Sequence, residues 1–83
     1  DTCLKGAELT YADFRSANLE RADFSNADLA MADFSCADLR KSMFIGADLT
    51  QARFRNANLS GCVLKGTSLE QTDFHGAYFD QST

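Results

Sequence analysis

Residues 22–40 read ADFSNADLAMADFSCADLR, and the spacing inside this stretch decides the fold. One phrase is said four times: Ala, Asp, a large apolar residue, then two free positions. The large apolar residue returns every fifth position, at Phe24, Leu29, Phe34 and Leu39. Neither regular element suits that period. In an α-helix five residues turn about 500°, so successive Leu and Phe drift about 140° and smear over every face. In a flat strand an odd spacing sends them alternately to opposite sides. All of them point inward only if the backbone bends once per repeat, always in the same sense. Such a chain coils into a solenoid.

Outward from this stretch the phrase continues in both directions. With Leu or Phe as the centre of each unit, centres run from Leu4 to Phe79, sixteen units without an insertion. Every fourth centre tends to be the same residue. Phe14, Phe34, Phe54 and Phe74 form one set, and Leu9, Leu29, Leu49 and Leu69 a second. Leu19, Leu39 and Leu59 form a third, broken by Phe79, while Leu4, Phe24, Phe44 and Leu64 are mixed. Identity at a spacing of 20 predicts vertical columns, hence a four-sided coil of 20 residues. The faces are numbered by their first centres: face 1 at Leu4, face 2 at Leu9, face 3 at Phe14, face 4 at Leu19. The chain is then one domain, 1–83, with coils at about 2–21, 22–41, 42–61 and 62–81.

Other residues keep the same register. Eleven of the twelve Ala lie two before a centre, where only a small side chain fits between coils. All five Gly lie two after a centre, with Asn26 and Asn56, where a corner asks for unusual backbone angles. No Pro interrupts the ladder. Asp, Asn or Glu usually stands just before the centre. It alternates with an inward residue, so it points outward, and its short side chain is placed to bond turn amides.

Units such as ADFSN, ANLER and ADLRK resemble the pentapeptide-repeat family, whose pattern is A(D/N)LXX; the likeness runs from about Thr2 to Gln81. It implies an all-β fold, a right-handed quadrilateral parallel β-helix with four coils of four repeats. The handedness comes from the resemblance alone. So does the functional expectation: a non-enzymatic scaffold for protein–protein interaction. Some relatives imitate B-DNA and bind type II topoisomerases, which is the alternative. A location in a thylakoid lumen or periplasm is another, the cytoplasm being favoured here.

Composition narrows the partners. Net charge is -4, with 12 acids against 8 bases, which argues against nucleic acid as a ligand. No apolar run approaches the 18 or so residues of a membrane span, so no membrane partner is expected. The three Cys show no zinc spacing and no disulfide framework, Cys62 taking an inward Ala-type place. The one His, His75, stands two after Asp73 on an outer wall, far from any nucleophile in a pocket. No metal, cofactor or catalytic residue is expected.

Two places break the pattern. On face 1, Met43 and Val63 replace the outward acid, and Ile45 lies two after Met43, making an apolar patch that could meet a protein partner. In the last coil Cys62, Thr67 and Thr72 replace Ala, and Phe74, Tyr78 and Phe79 gather near the end. A bare coil end shows apolar side chains and unpaired backbone groups, so a homodimer by end stacking is expected there.

Overall fold

Except at Phe79, every centre closes a tight turn. Its carbonyl accepts the N–H three residues on, as from Ala27 to Phe24 at 3.0 Å and from Ala52 to Leu49 at 2.9 Å. The computed structural model describes all of residues 1–83, and from Gly6 to Gly76 the third residue of each such turn is left-handed, with φ between 58° and 72°. The second residue keeps negative φ, the pattern of a type II turn. Gly and Asn were expected at these corners. Tyr11, Arg21, Met31, Lys41 and Gln51 adopt the same angle, a conformation costing roughly 1–2 kcal/mol for a residue with a side chain. They are held there because the inter-coil bonds on both sides of a corner fix its path. At Gly46 space also matters, since a Cβ would lie 2.5 Å from Asn26 Oδ1 in the corner below.

Between corners the chain runs straight for too short a distance to make strands. Parallel pairing is limited to single-residue bridges, each joining residue i to i+20: Asp13 to Asp33, Asp33 to Arg53, Arg53 to Asp73. The β character is therefore spread thinly, one rung per face per coil. This register makes columns of the four sets of centres.

Where Asp or Asn stands before the centre, the repeats of the middle coils use their N–H groups in a fixed way, seen around Leu49. Ala47 donates within the preceding turn and Asp48 to Ala27 of the coil before. Leu49 and Gln51 donate to Ser68 and Glu70 of the coil after. The remaining N–H, that of Thr50, points outward and is taken by Asp48 Oδ1 at 3.0 Å. The same bond recurs from Ser25 to Asp23, Ser35 to Asp33, Arg40 to Asp38 and His75 to Asp73. The outward acid is thus the acceptor for the one amide that the ladder leaves free.

The interior is two facing piles of rings. On face 3, Phe14, Phe34, Phe54 and Phe74 stack at 4.9, 4.8 and 5.2 Å, nearly parallel. On face 1, Phe24 and Phe44 stack at 5.0 Å. The piles meet edge to face, as between Phe34 and Phe44 at 5.7 Å and 89°. Offset stacks along a pile and T-shaped contacts across it satisfy the ring quadrupole in both directions. The Leu columns of faces 2 and 4 and the corner Ala fill the rest, and the inward side chains of the middle coils are buried.

Polar residues at Ala positions are satisfied. Ser42 donates to its own turn carbonyl, Leu39 O, at 2.7 Å and touches Cys62 Sγ at 3.3 Å. Thr67 and Thr72 are only half-buried, and their hydroxyls donate to Phe44 O and Leu49 O of the coil before. The Cα envelope measures 26 × 22 × 22 Å, about as tall as it is wide.

Candidate functional site

Face 1 carries the expected patch. Cys3, Asp23, Met43 and Val63 pair in succession up its outer wall, so Met43 and Val63 are vertical neighbours. Met43 is half-buried; Val63 and Ile45 are 37% and 40% exposed. The substitution of Met43 and Val63 for Asp has a second effect. Without a carboxylate two residues earlier, the N–H groups of Ile45 and Lys65 have no acceptor in the chain. On the same face the Ser25 N–H is taken by Asp23 at 2.9 Å. Sequence reasoning located the apolar side chains and missed these two amides. Their signal was present: a residue after the centre whose partner before it is neither Asp nor Asn, the condition that also leaves the Arg55 N–H on face 3 and the Glu70 N–H on face 2 without an acceptor.

The charges are segregated by face. Face 2 bears Glu8, Asp28, Asp48 and Glu70 and no base. Face 1 with the corner leading into it bears Lys5, Arg21, Lys41 and Lys65 against Asp1 and Asp23, and holds every lysine of the chain. Lys5 lies 3.7 Å from Asp23, and Arg21 3.5 Å from Glu20. Lys41 and Lys65 make no ion pair. On face 3 the signs are mixed, Arg15 pairing with Asp13 at 2.9 Å and Arg55 with Asp73 at 3.4 Å while Arg53 makes no ion pair. Such exposed pairs contribute little to stability.

At the last coil the three aromatics part company. Phe74 closes the face 3 pile, and Phe79 leans on it at 5.4 Å and 59°. Phe79 is 41% exposed, as the end ring of its column. Tyr78 precedes a centre, pairs with Asn58 and is 58% exposed, so it stands on the outer wall of face 4 rather than on the coil end. Leu69, 40% exposed, joins Phe79 on the end instead. Past Phe79 the register slips. The Gly61 N–H goes to Asp80 Oδ1 rather than to its carbonyl, and that carboxylate also accepts from Ser60, Ser82 and Thr83. These donors, the Ser60 and Ser82 hydroxyls first, hold the Asp80 carboxyl well below the usual carboxylate range.

Nothing else gathers into a reactive arrangement. The His75 backbone N–H, not its ring, binds Asp73, at 2.9 Å. Cys3 and Cys36 are exposed and unpaired. Burial pushes the Cys62 thiol up to about 11, against a smaller lowering by the Ser42 hydroxyl. No three His, Cys, Asp or Glu side chains cluster, and the walls are flat, with no cleft.

Known proteins share this geometry. The chain is 32% identical to Rfr23, a pentapeptide repeat protein of the cyanobacterium Cyanothece 51142, with a TM-score of 0.95 over 98% of this chain and 55% of that one. It is 33% identical to HetL of Nostoc sp. PCC 7120, a pentapeptide repeat protein involved in heterocyst differentiation regulation, with a TM-score of 0.59 over 98% and 40%. A thylakoid-lumen pentapeptide repeat protein of Arabidopsis thaliana is 29% identical, with a TM-score of 0.74 over 96% and 70%. The chain thus spans about half the length of the first two. No curated protein matches it. The family model for pentapeptide repeats matches in eight copies, over residues 2–40, 32–71 and 47–83. With the repeat unit, the 20-residue register and the stacked columns in agreement, the chain belongs to the pentapeptide-repeat family.

Proposed function

We propose that this chain is a non-enzymatic scaffold for protein–protein interaction, built as a right-handed quadrilateral β-helix of four coils. Face 1 is its partner surface, centred on Met43, Ile45 and Val63. One observation carries this reading. On face 1 the repeat's outward acid gives way to Met43 and Val63, leaving apolar side chains exposed and the Ile45 and Lys65 amides without acceptors. Face 2 puts Glu8, Asp28, Asp48 and Ser68 at the same places and stays polar throughout. A filled interior and flat walls leave side-by-side docking as the natural mode of use. The test is affinity capture from the native cell extract with the wild type and Met43→Asp/Ile45→Asp, at equal loading. Partners that depend on face 1 disappear with the double variant. An unchanged set of partners overturns the assignment.

A further inference from the structure

The partner's chemistry follows from what surrounds the patch. We propose that face 1 takes an extended acidic segment of a partner protein, one that carries apolar side chains beside its carboxylates. This rests on the scaffold reading above and specifies its ligand.

Three features converge on that occupant. First, Ile45 and Val63 are exposed and Met43 half-buried along one wall, a surface for two or three apolar side chains. Second, the outward N–H groups of Ile45 and Lys65 want acceptors. Where the molecule fills that position itself, it does so with a side-chain oxygen, a carboxylate from Asp48 for Thr50 and from Asp33 for Ser35, an amide from Asn58 for Ser60. A carboxylate or carbonyl brought by the partner does what the missing aspartates do on other walls. Third, four of the chain's 8 bases, including every lysine, frame this wall, in a molecule of net charge -4. Lys41 and Lys65 are free of internal ion pairs. An extended segment is favoured over a helix because the amides lie one coil apart on a flat wall, within reach of successive acceptors of a straight backbone. A basic partner would meet the acidic face 2 and not this wall.

The arrangement supplies its own variants. Met43→Asp and Val63→Asp restore the repeat's regular acid. They give Ile45 and Lys65 their missing acceptors and remove the apolar surface together. Vertical Asp neighbours are already tolerated at Asp13 and Asp33 and at Asp28 and Asp48. The double variant therefore folds with an unchanged or raised thermal midpoint.

The experiment measures fluorescence anisotropy with two labelled ten-residue peptides, one repeating Glu-Glu-Leu-Leu and the other Gln-Gln-Leu-Leu, so that each side of the extended chain carries both kinds of side chain. Both are titrated with the wild type, with Met43→Asp/Val63→Asp and with Lys41→Glu/Lys65→Glu, at low and high salt. The acidic peptide is expected to bind the wild type about tenfold more tightly than the neutral one at low salt, an advantage that shrinks as salt screens the lysines. Lys41→Glu/Lys65→Glu abolishes the advantage, and Met43→Asp/Val63→Asp abolishes binding of both peptides. Equal binding of the two peptides, lost in Met43→Asp/Val63→Asp, overturns the acidic partner and leaves the scaffold reading standing. Binding of the acidic peptide that survives in Met43→Asp/Val63→Asp overturns face 1 as the site. No binding of either peptide to the wild type overturns the proposal, and the capture experiment then judges the scaffold reading by itself.

Discussion

The Asp before each centre is the residue on which the repeat turns. It does no packing; it accepts the single backbone N–H that neither turn nor ladder employs. This explains why Asn serves equally, as Asn58 does for Ser60 at 3.1 Å, and why the side chain must be short. Accepting these bonds also moves the acids' titration. Arg15, through its side chain first and its N–H next, lowers Asp13 to about 2. The Thr50 hydroxyl and then its N–H lower Asp48, and the Arg40 guanidinium lowers Asp38 against burial. A carboxylate held below its unfolded value stabilises the fold at every pH above that value, and the contribution fades as pH falls through the folded one. The thermal midpoint is therefore expected to be flat from about pH 8 to pH 5 and to fall between about pH 4 and pH 2. Circular dichroism melts across that range check it. A midpoint that stays level down to pH 2 would mean that the outward acids add nothing.

At the scale of the face, the unit of stability is the column. A ring in the middle of the face 3 pile has neighbours above, below and across; the end ring lacks one side. Phe34 is fully buried and Phe74 half-buried accordingly. Phe34→Ala is expected to cost about 3–5 kcal/mol, and Phe74→Ala about half that or less, by urea unfolding. Equal losses would show that the pile does not carry the stability assigned to it. These columns were legible in the sequence because inward residues repeat in kind every 20 positions. The apolar patch of face 1 was legible only by its side chains. Its two free amides could be read from the missing Asp or Asn only once the bond from that side chain to the next outward N–H was known. Tyr78 shows a second limit: an aromatic near the chain's end looks like end packing until its register is counted, and the place before a centre puts it on the wall. The uniform left-handed corners were half visible, since Gly and Asn mark them while Tyr11 and Met31 hide them.

At the scale of the molecule, the two ends differ in backbone polarity. Within the stack each coil receives two N–H donors per repeat from the coil before and gives one back, as Phe24 and Asn26 donate to Met43 and Ile45 while Met43 donates to Ala22. The end at residues 62–81 therefore presents two donors and one acceptor per repeat, and the end at residues 2–21 the reverse. Two copies meeting through the same end bring the same excess of donors or of acceptors together, so the ladder cannot be completed across a twofold dimer. Only contacts of Phe79, Leu69 and Phe74 would hold it. Opposite ends match donor to acceptor and bring the Phe74 column over that of Phe14, but such a contact does not close on itself. The clasp at Asp80 covers only the corner after face 4. The 83-residue chain is accordingly expected to show a weight-average mass that rises with concentration past twice its 9.1 kDa. Phe79→Asp should return it to the monomer value. Multi-angle light scattering reads the outcome. A plateau at twice the monomer mass would show that the aromatic end outweighs backbone polarity, and a constant 9.1 kDa would remove end association altogether.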